Sequence, residues 1–111
     1  MREIKFRGYD KQEKKWFYGL VVEIYARLAI IKPSDTHGSV VVSTKTVGQY
    51  TGLKDKTGRE IYEGDILSDG EDEYDVCFWN GSFCLNKATE YEELSMLIMK
   101  DYKIVGNIYG A

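Results

Sequence analysis

The dipeptide Asn80-Gly81, set between Val76-Cys77-Phe78-Trp79 and Ser82-Phe83-Cys84-Leu85, constrains this chain more than any other feature. Asn-Gly is the preferred pair for a two-residue type I′ turn, because both positions must adopt positive φ and the turn's twist matches that of paired strands. The turn predicts an antiparallel hairpin with Phe78 opposite Phe83 and Val76 opposite Leu85 on one face. Cys77 then meets Cys84 on the other face, beside Trp79 and Ser82. A two-residue turn makes the Cys77/Cys84 position the wider, hydrogen-bonded type of pair, a poor geometry for a disulfide. Free thiols are expected there.

Around this hairpin the patterning is that of strands. Ile4 to Arg7 alternates apolar and polar residues, Asp10 to Lys14 is a polar turn, and Lys15 to Gly19 returns as an aromatic strand. In Leu20 to Ile31, period 2 places Val22, Ile24, Ala26, Leu28 and Ile30 on one face, which predicts one long strand. Ser39 to Thr44, with three consecutive valines, is a further strand. A polar stretch from Thr51 to Glu60 carries the turn Asp55-Lys56-Thr57-Gly58, anchored by Leu53 and Ile61, with a hinge expected near 53–59. Ile66 to Ser68 is the next strand. Thr89 and Glu92 have capping-box spacing, which predicts a short helix over 90–99, although Leu94, Met96 and Ile98 alternate as a strand would. Tyr102 to Tyr109 closes the pattern, with a bulge or turn at Gly106-Asn107. The fold class is mainly β (a β-rich α+β chain), with a small SH3-like barrel over the C-terminal half. Residues 1–111 form one domain with sublobes 1–52 and 60–109.

A chain of 111 residues can bury a core without disulfides or metals. Aromatic residues make up 14% of it, including nine tyrosines, and its eleven glycines suit strands joined by tight turns. No apolar run reaches the ~18 residues that span a membrane. The longest, Leu20 to Ile31, is broken by Glu23 and Arg27. With a charged N-terminus this predicts a cytoplasmic protein without membrane partners. The net charge of -3 hides an asymmetry: residues 1–59 hold 12 Lys/Arg against 6 Asp/Glu, and residues 60–111 hold 3 against 12. The two parts are thus +6 and -9, a division that favours opposite-charge contacts.

Catalytic and metal patterns do not assemble. The sole histidine, His37, sits in a polar loop, and no G-x-S-x-G elbow presents a serine. Cys77 and Cys84 with one distant histidine do not make a zinc set. Gly48, Gly52 and Lys54 lack P-loop spacing. For the acidic tract Asp69 to Asp75, an EF-hand loop starting at Asp65 would place Leu67 and Val76 where oxygen ligands are needed, so the tract is expected to be a solvated turn. No enzyme activity and no cofactor are expected. The segment Arg2 to Tyr18 interleaves Lys and Arg with Phe6, Tyr9, Trp16, Phe17 and Tyr18, the composition of a single-strand nucleic-acid platform.

Three motifs, Phe6-Arg7-Gly8-Tyr9-Asp10-Lys11, the run Val47 to Leu67, and Ile104-Val105-Gly106-Asn107-Ile108-Tyr109, occur in this order. Together they resemble the signature of the YopX family, small proteins of phages and prophages. The first motif more often has Ala-Trp where this chain has Gly8-Tyr9, and members usually continue past the last motif with a short acidic, proline-containing tail. The resemblance implies a cytoplasmic protein of a bacterial host, without established activity, that forms homo-oligomers, trimers among them. Its partner would be a phage or host protein. Glycines and apolar residues of the motifs have structural explanations. Arg7, Asp10, Gln49, Tyr50, Thr51, Lys54, Asp55, Glu60, Tyr62 and Glu63 are the candidate binding residues, which turns would gather on one surface. The expected function is a non-enzymatic protein-interaction or assembly module, and the alternative is single-strand nucleic-acid binding by the N-terminal segment.

Overall fold

A computed structural model describes residues 3–34, 38–95 and 100–111. Eleven strands are described: β1 Phe6–Asp10, β2 Lys15–Ile24, β3 Leu28–Pro33, β4 Val40–Ser43, β5 Gly48–Lys54, β6 Glu60–Tyr62, β7 Asp65–Ser68, β8 Glu73–Trp79, β9 Ser82–Asn86, β10 Tyr91–Glu93 and β11 Lys103–Asn107. The only helical element among these residues is a 3-10 turn, Thr44–Thr46. Mainly β architecture is therefore established. Two units separate within the chain, one over 3–50 and one over 51–110.

In the first unit the strand order is β4-β3-β2-β1-β5. The β1–β2 hairpin turns through residues 11–14, where Lys14 takes a φ of 54°. Its register pairs Gly8 with Phe17 and Arg7 with Tyr18. Ala29, Ile31 and Val42 form a buried core, with Phe17, Val21, Val40 and Val47 packed against it. Two glycines let backbones approach. A Cβ on Gly8 would stand 2.5 Å from Val42 Cγ2, and one on Gly19 would stand 2.1 Å from the Lys32 carbonyl oxygen. The second contact is with backbone, which cannot rotate away.

One long strand over Leu20 to Ile31 is not what forms. Leu20–Ile24 continues β2, residues 25–27 turn, and β3 begins at Leu28. The turn is closed by Tyr25 N–H donating to the Leu28 carbonyl at 2.7 Å. A bulge between Val21 and Glu23 shifts the β2–β3 register. The expected apolar face is not the buried one: Val22, Ile24, Ala26 and Leu28 are exposed and Ile30 is half-buried, while Ala29 and Ile31, at the alternate positions, are buried. Tyr25-Ala26-Arg27 contains no glycine, proline or asparagine to mark the turn, so the period-2 pattern runs through it unbroken.

In the second unit β7 to β11 form a sheet of order β10-β9-β8-β7-β11. The last strand pairs the first, on the opposite edge from the fourth, which is the order of an SH3-like barrel. Asn80 and Gly81 have φ of 51° and 87°, and all four expected hairpin pairs, Val76 with Leu85 through Trp79 with Ser82, are present. Cys77 and Cys84 are free thiols. Burial raises the Cys77 thiol above its ordinary value, and Asp75 adds to the effect. Ile61, Leu67, Val76, Phe83, Leu85, Leu94, Tyr102 and Ile104 form the core, with Leu53 against it.

The helix expected over 90–99 is replaced at its start by strand. Tyr91 pairs with Asn86 and Glu93 with Cys84. Thr89 caps nothing: its hydroxyl turns back to the Lys87 carbonyl at 3.5 Å, within a turn where Ala88 takes a φ of 65°. Met96 to Met99 lie outside the described residues, as does His37. The bulge of β11 falls between Ile104 and Gly106, one residue before its expected place.

Gly19 offers a direct test of this packing. Gly19→Ala should destabilise the protein by about 2–3 kcal/mol, the cost of overpacking against an immovable carbonyl. Urea unfolding measures the shift, and an unchanged midpoint would contradict the close approach of β2 and β3.

Candidate functional site

The candidate binding residues divide by burial. In the first unit Arg7 is only 6% exposed, although β1 presents it opposite Tyr18. Its guanidinium lies 4.5 Å from the Trp16 ring centroid, a cation–π contact. Tyr50 is buried, with Lys5 Nζ 5.4 Å from its ring centroid. Asp10 ends β1, and its Oδ1 accepts the N–H groups of Gln12 (2.9 Å) and Glu13 (3.3 Å), organising the hairpin turn. Gln49 is half-buried opposite Phe6.

In the second unit Asp55 is a junction. Its Oδ1 accepts the Thr57 N–H (2.8 Å), the Thr57 hydroxyl (2.7 Å) and the Arg59 N–H (3.0 Å). Its Oδ2 accepts the Ile104 N–H at 2.9 Å, across 49 residues of chain. Burial pulls this carboxyl upward, but the bonds from Ile104, Thr57 and Arg59 outweigh it and hold the group below the ordinary carboxylate value. Thr51 is buried, donates to the Ile61 carbonyl at 2.9 Å and accepts the Leu53 N–H at 3.2 Å. Tyr62 is 2% exposed, and its N–H donates to Asp65 Oδ2 at 2.8 Å. The Tyr62 hydroxyl donates to Glu60 at 3.2 Å. Glu63 is half-buried and Lys54 alone is exposed. The residues expected to form one surface are therefore chiefly internal, tying turns to strands within each unit.

The described surface also carries an apolar face. On the β2–β3–β4 sheet, Tyr18, Leu20, Val22, Leu28 and Val41 are each 42–52% exposed. Pairing of Ile30 with both Glu23 and Val41 holds these three strands in a single surface. Sequence reasoning missed this face because the residues in it are those an uninterrupted strand would bury. In the second unit, Trp79 and Tyr91 stack at 4.7 Å between ring centroids, and both are about half-exposed. Among the described residues no three His, Cys, Asp or Glu side chains gather as a metal-binding set. Asp69 Oδ1 accepts the N–H groups of Asp72 (2.8 Å) and Glu71 (2.9 Å), which lower its carboxyl, so the acidic tract begins as a solvated turn.

Asp55→Asn keeps the shape but turns an N–H toward the Ile104 N–H. The expected loss is about 1–3 kcal/mol, that of one buried donor left without an acceptor. The depressed carboxyl also sets a pH dependence. Its stabilisation is complete above the unfolded-state value and is lost as pH falls through the lower folded value. Urea midpoints measured from pH 7 down to acid should fall less steeply for Asp55→Asn than for wild type, and parallel curves would contradict this role.

The fold has a solved counterpart. The crystal structure of protein EF1440 from Enterococcus faecalis matches with a TM-score of 0.59 and 24% sequence identity, over 99% of this chain and 96% of that one. At this identity the likeness establishes the fold alone. No curated protein matches the chain. No helix among the described residues is long and apolar enough to cross a membrane. The family model described as YopX protein matches residues 5–111, from the buried Arg7 strand through the closing strand β11. The chain belongs to the YopX family.

Proposed function

We propose that this protein is a non-enzymatic assembly and protein-interaction module of phage or prophage type, acting as a homo-oligomer in the bacterial cytoplasm. The observation that carries this reading is the exposed apolar face of β2, β3 and β4. A run of Tyr18, Leu20, Val22, Leu28 and Val41 left half-exposed across paired strands is costly in water and is relieved by burial against protein. The candidate signature residues other than Lys54, by contrast, are buried or half-buried. Charge supports the same reading: residues 3–50 hold 8 Lys/Arg against 5 Asp/Glu, and residues 51–110 hold 6 against 13. The units are +3 and -7, so encounter between copies is steered by attraction while apolar burial supplies the affinity.

Light scattering across concentration and ionic strength tests this directly. Wild type should form an oligomer that associates more slowly as salt rises yet survives moderate salt. The double substitution Leu20→Glu, Val22→Glu should shift it to monomer. A monomeric wild type at high concentration and low salt would reject the assembly reading.

A second reading, single-strand nucleic-acid binding, is favoured by the exposed Lys11, Lys14 and Lys15 gathered at the β1–β2 turn beside the exposed Tyr18. On this reading oligonucleotide affinity falls steeply with salt, and Lys14→Ala with Lys15→Ala flattens the slope by about 1–2. No binding at low salt would remove it.

A further inference from the structure

Each unit ends one side of its sheet on a strand with a single partner. Among the described residues, β4 pairs only with β3 and β10 only with β9. The hydrogen-bond phase shows which backbone groups these edges offer. Thr44 N–H donates to the Arg27 carbonyl at 3.0 Å, so alternation makes Ala29/Val42 and Ile31/Val40 the bonded pairs. The N–H and C=O of Val41 therefore point off the open edge. On β10, Leu94 N–H donates to Phe83 and Lys87 N–H to Glu90, both at 3.0 Å, so the N–H and C=O of Tyr91 and Glu93 point outward.

The edges differ in charge. Val40-Val41-Val42-Ser43 carries no charge, proline or bulge, the usual devices that block edge pairing. A groove of about 890 Å³ runs beside it, and Lys11, Lys15 and Arg27 line that groove. All three are exposed and none forms an ion pair among the described residues. Glu13 also lines the groove, as does Asp10, whose carboxylate is engaged by its own turn. Strand β10, by contrast, is acidic. Glu90 and Glu93 are exposed and Glu92 pairs with Lys87. Pairing β4 with a second β4 would bring two sets of cations together, and pairing β10 with β10 would bring glutamates together. Pairing β4 with β10 opposes unlike charges.

We propose that copies of this chain associate head to tail, with the acidic edge β10 of one copy adding as a strand to β4 of the next, its glutamates toward Lys11, Lys15 and Arg27. This rests on the assembly reading above and names its geometry. The contact is heterologous, so each copy uses one edge to give and one to receive, and assembly closes into a ring or continues as a filament. It is strand addition, with main-chain bonds for affinity and charge for choice of partner.

Complementation tests it. Val41→Pro removes the outward N–H of β4 and leaves β10, while Glu93→Pro does the reverse. Circular dichroism and urea unfolding establish that each is folded. Each variant alone should be monomeric in light scattering, and an equimolar mixture should yield a two-chain species and nothing larger. Self-association of either variant alone, or a mixture that stays monomeric, overturns the proposal. If both proline variants retain the wild-type oligomer while Leu20→Glu, Val22→Glu loses it, assembly stands and edge pairing falls; a monomeric wild type rejects both. Should a proline variant not fold, charge reversal replaces it. Lys15→Glu with Arg27→Glu, and Glu90→Lys with Glu93→Lys, should each weaken association about tenfold at low salt. Their mixture should recover the loss, and a mixture no tighter than either variant alone overturns the proposal.

Discussion

Four hydrogen bonds converge on the carboxylate of Asp55, and the second unit depends on them. Three come from its own turn and one from Ile104 on β11. Thr57 and Arg59 alone would make a local turn that could sit anywhere on the surface. The Ile104 bond attaches that turn to the strand that closes the sheet, and Lys56 N–H reinforces it by donating to the Tyr102 carbonyl at 3.0 Å. A buried carboxylate is tolerated because every bond it accepts is short and made to a donor that itself needs an acceptor. The polar stretch from Thr51 to Glu60 is thereby tied to the chain around β11.

On the assembly reading proposed above, contact rests on apolar side chains and on strand edges. The apolar face of β2, β3 and β4 is non-directional and would hold any complementary surface. Backbone edges and surrounding charges are directional and select one. Proteins that assemble specifically combine the two, and the separation of +3 and -7 between units adds a long-range bias before contact.

Legibility from sequence followed the strength of local chemistry. The Asn80-Gly81 hairpin was readable to the residue because turn type dictates register. Ile61 and Leu53 were placed against the core because isolated apolar residues flank a polar run. The turn at Tyr25-Ala26-Arg27 was invisible, since tertiary pairing with the 3-10 turn region stabilises it through Thr44, whose hydroxyl donates to the Tyr25 carbonyl at 3.1 Å. The helix expected after Thr89 failed for a related reason: β9 offers β10 a partner that a capping box cannot outweigh. For the candidate binding residues, the polar character of Asp55, Thr51 and Arg7 was visible, but their burial arises from contacts with other strands, Ile104, Ile61 and Trp16. Polar side chains look alike in sequence whether they meet solvent or a distant amide.

Strand order also governs when each unit can exist during synthesis. In the first unit β1 pairs on one side with β2 and on the other with β5, through Phe6 with Gln49. In the second, β7 waits for β11, through Asp65 with Asn107. Each unit is thus completed by its own last strand, after closure of a loop of roughly 40 residues whose entropy must be met before the pairing contributes. A ribosome-bound chain leaves the second edge of β1 without a partner until β5 is made. The interval in which that edge can meet the wrong strand is set by how fast the ribosome reaches Tyr50, so translation speed across this short stretch becomes a determinant of yield.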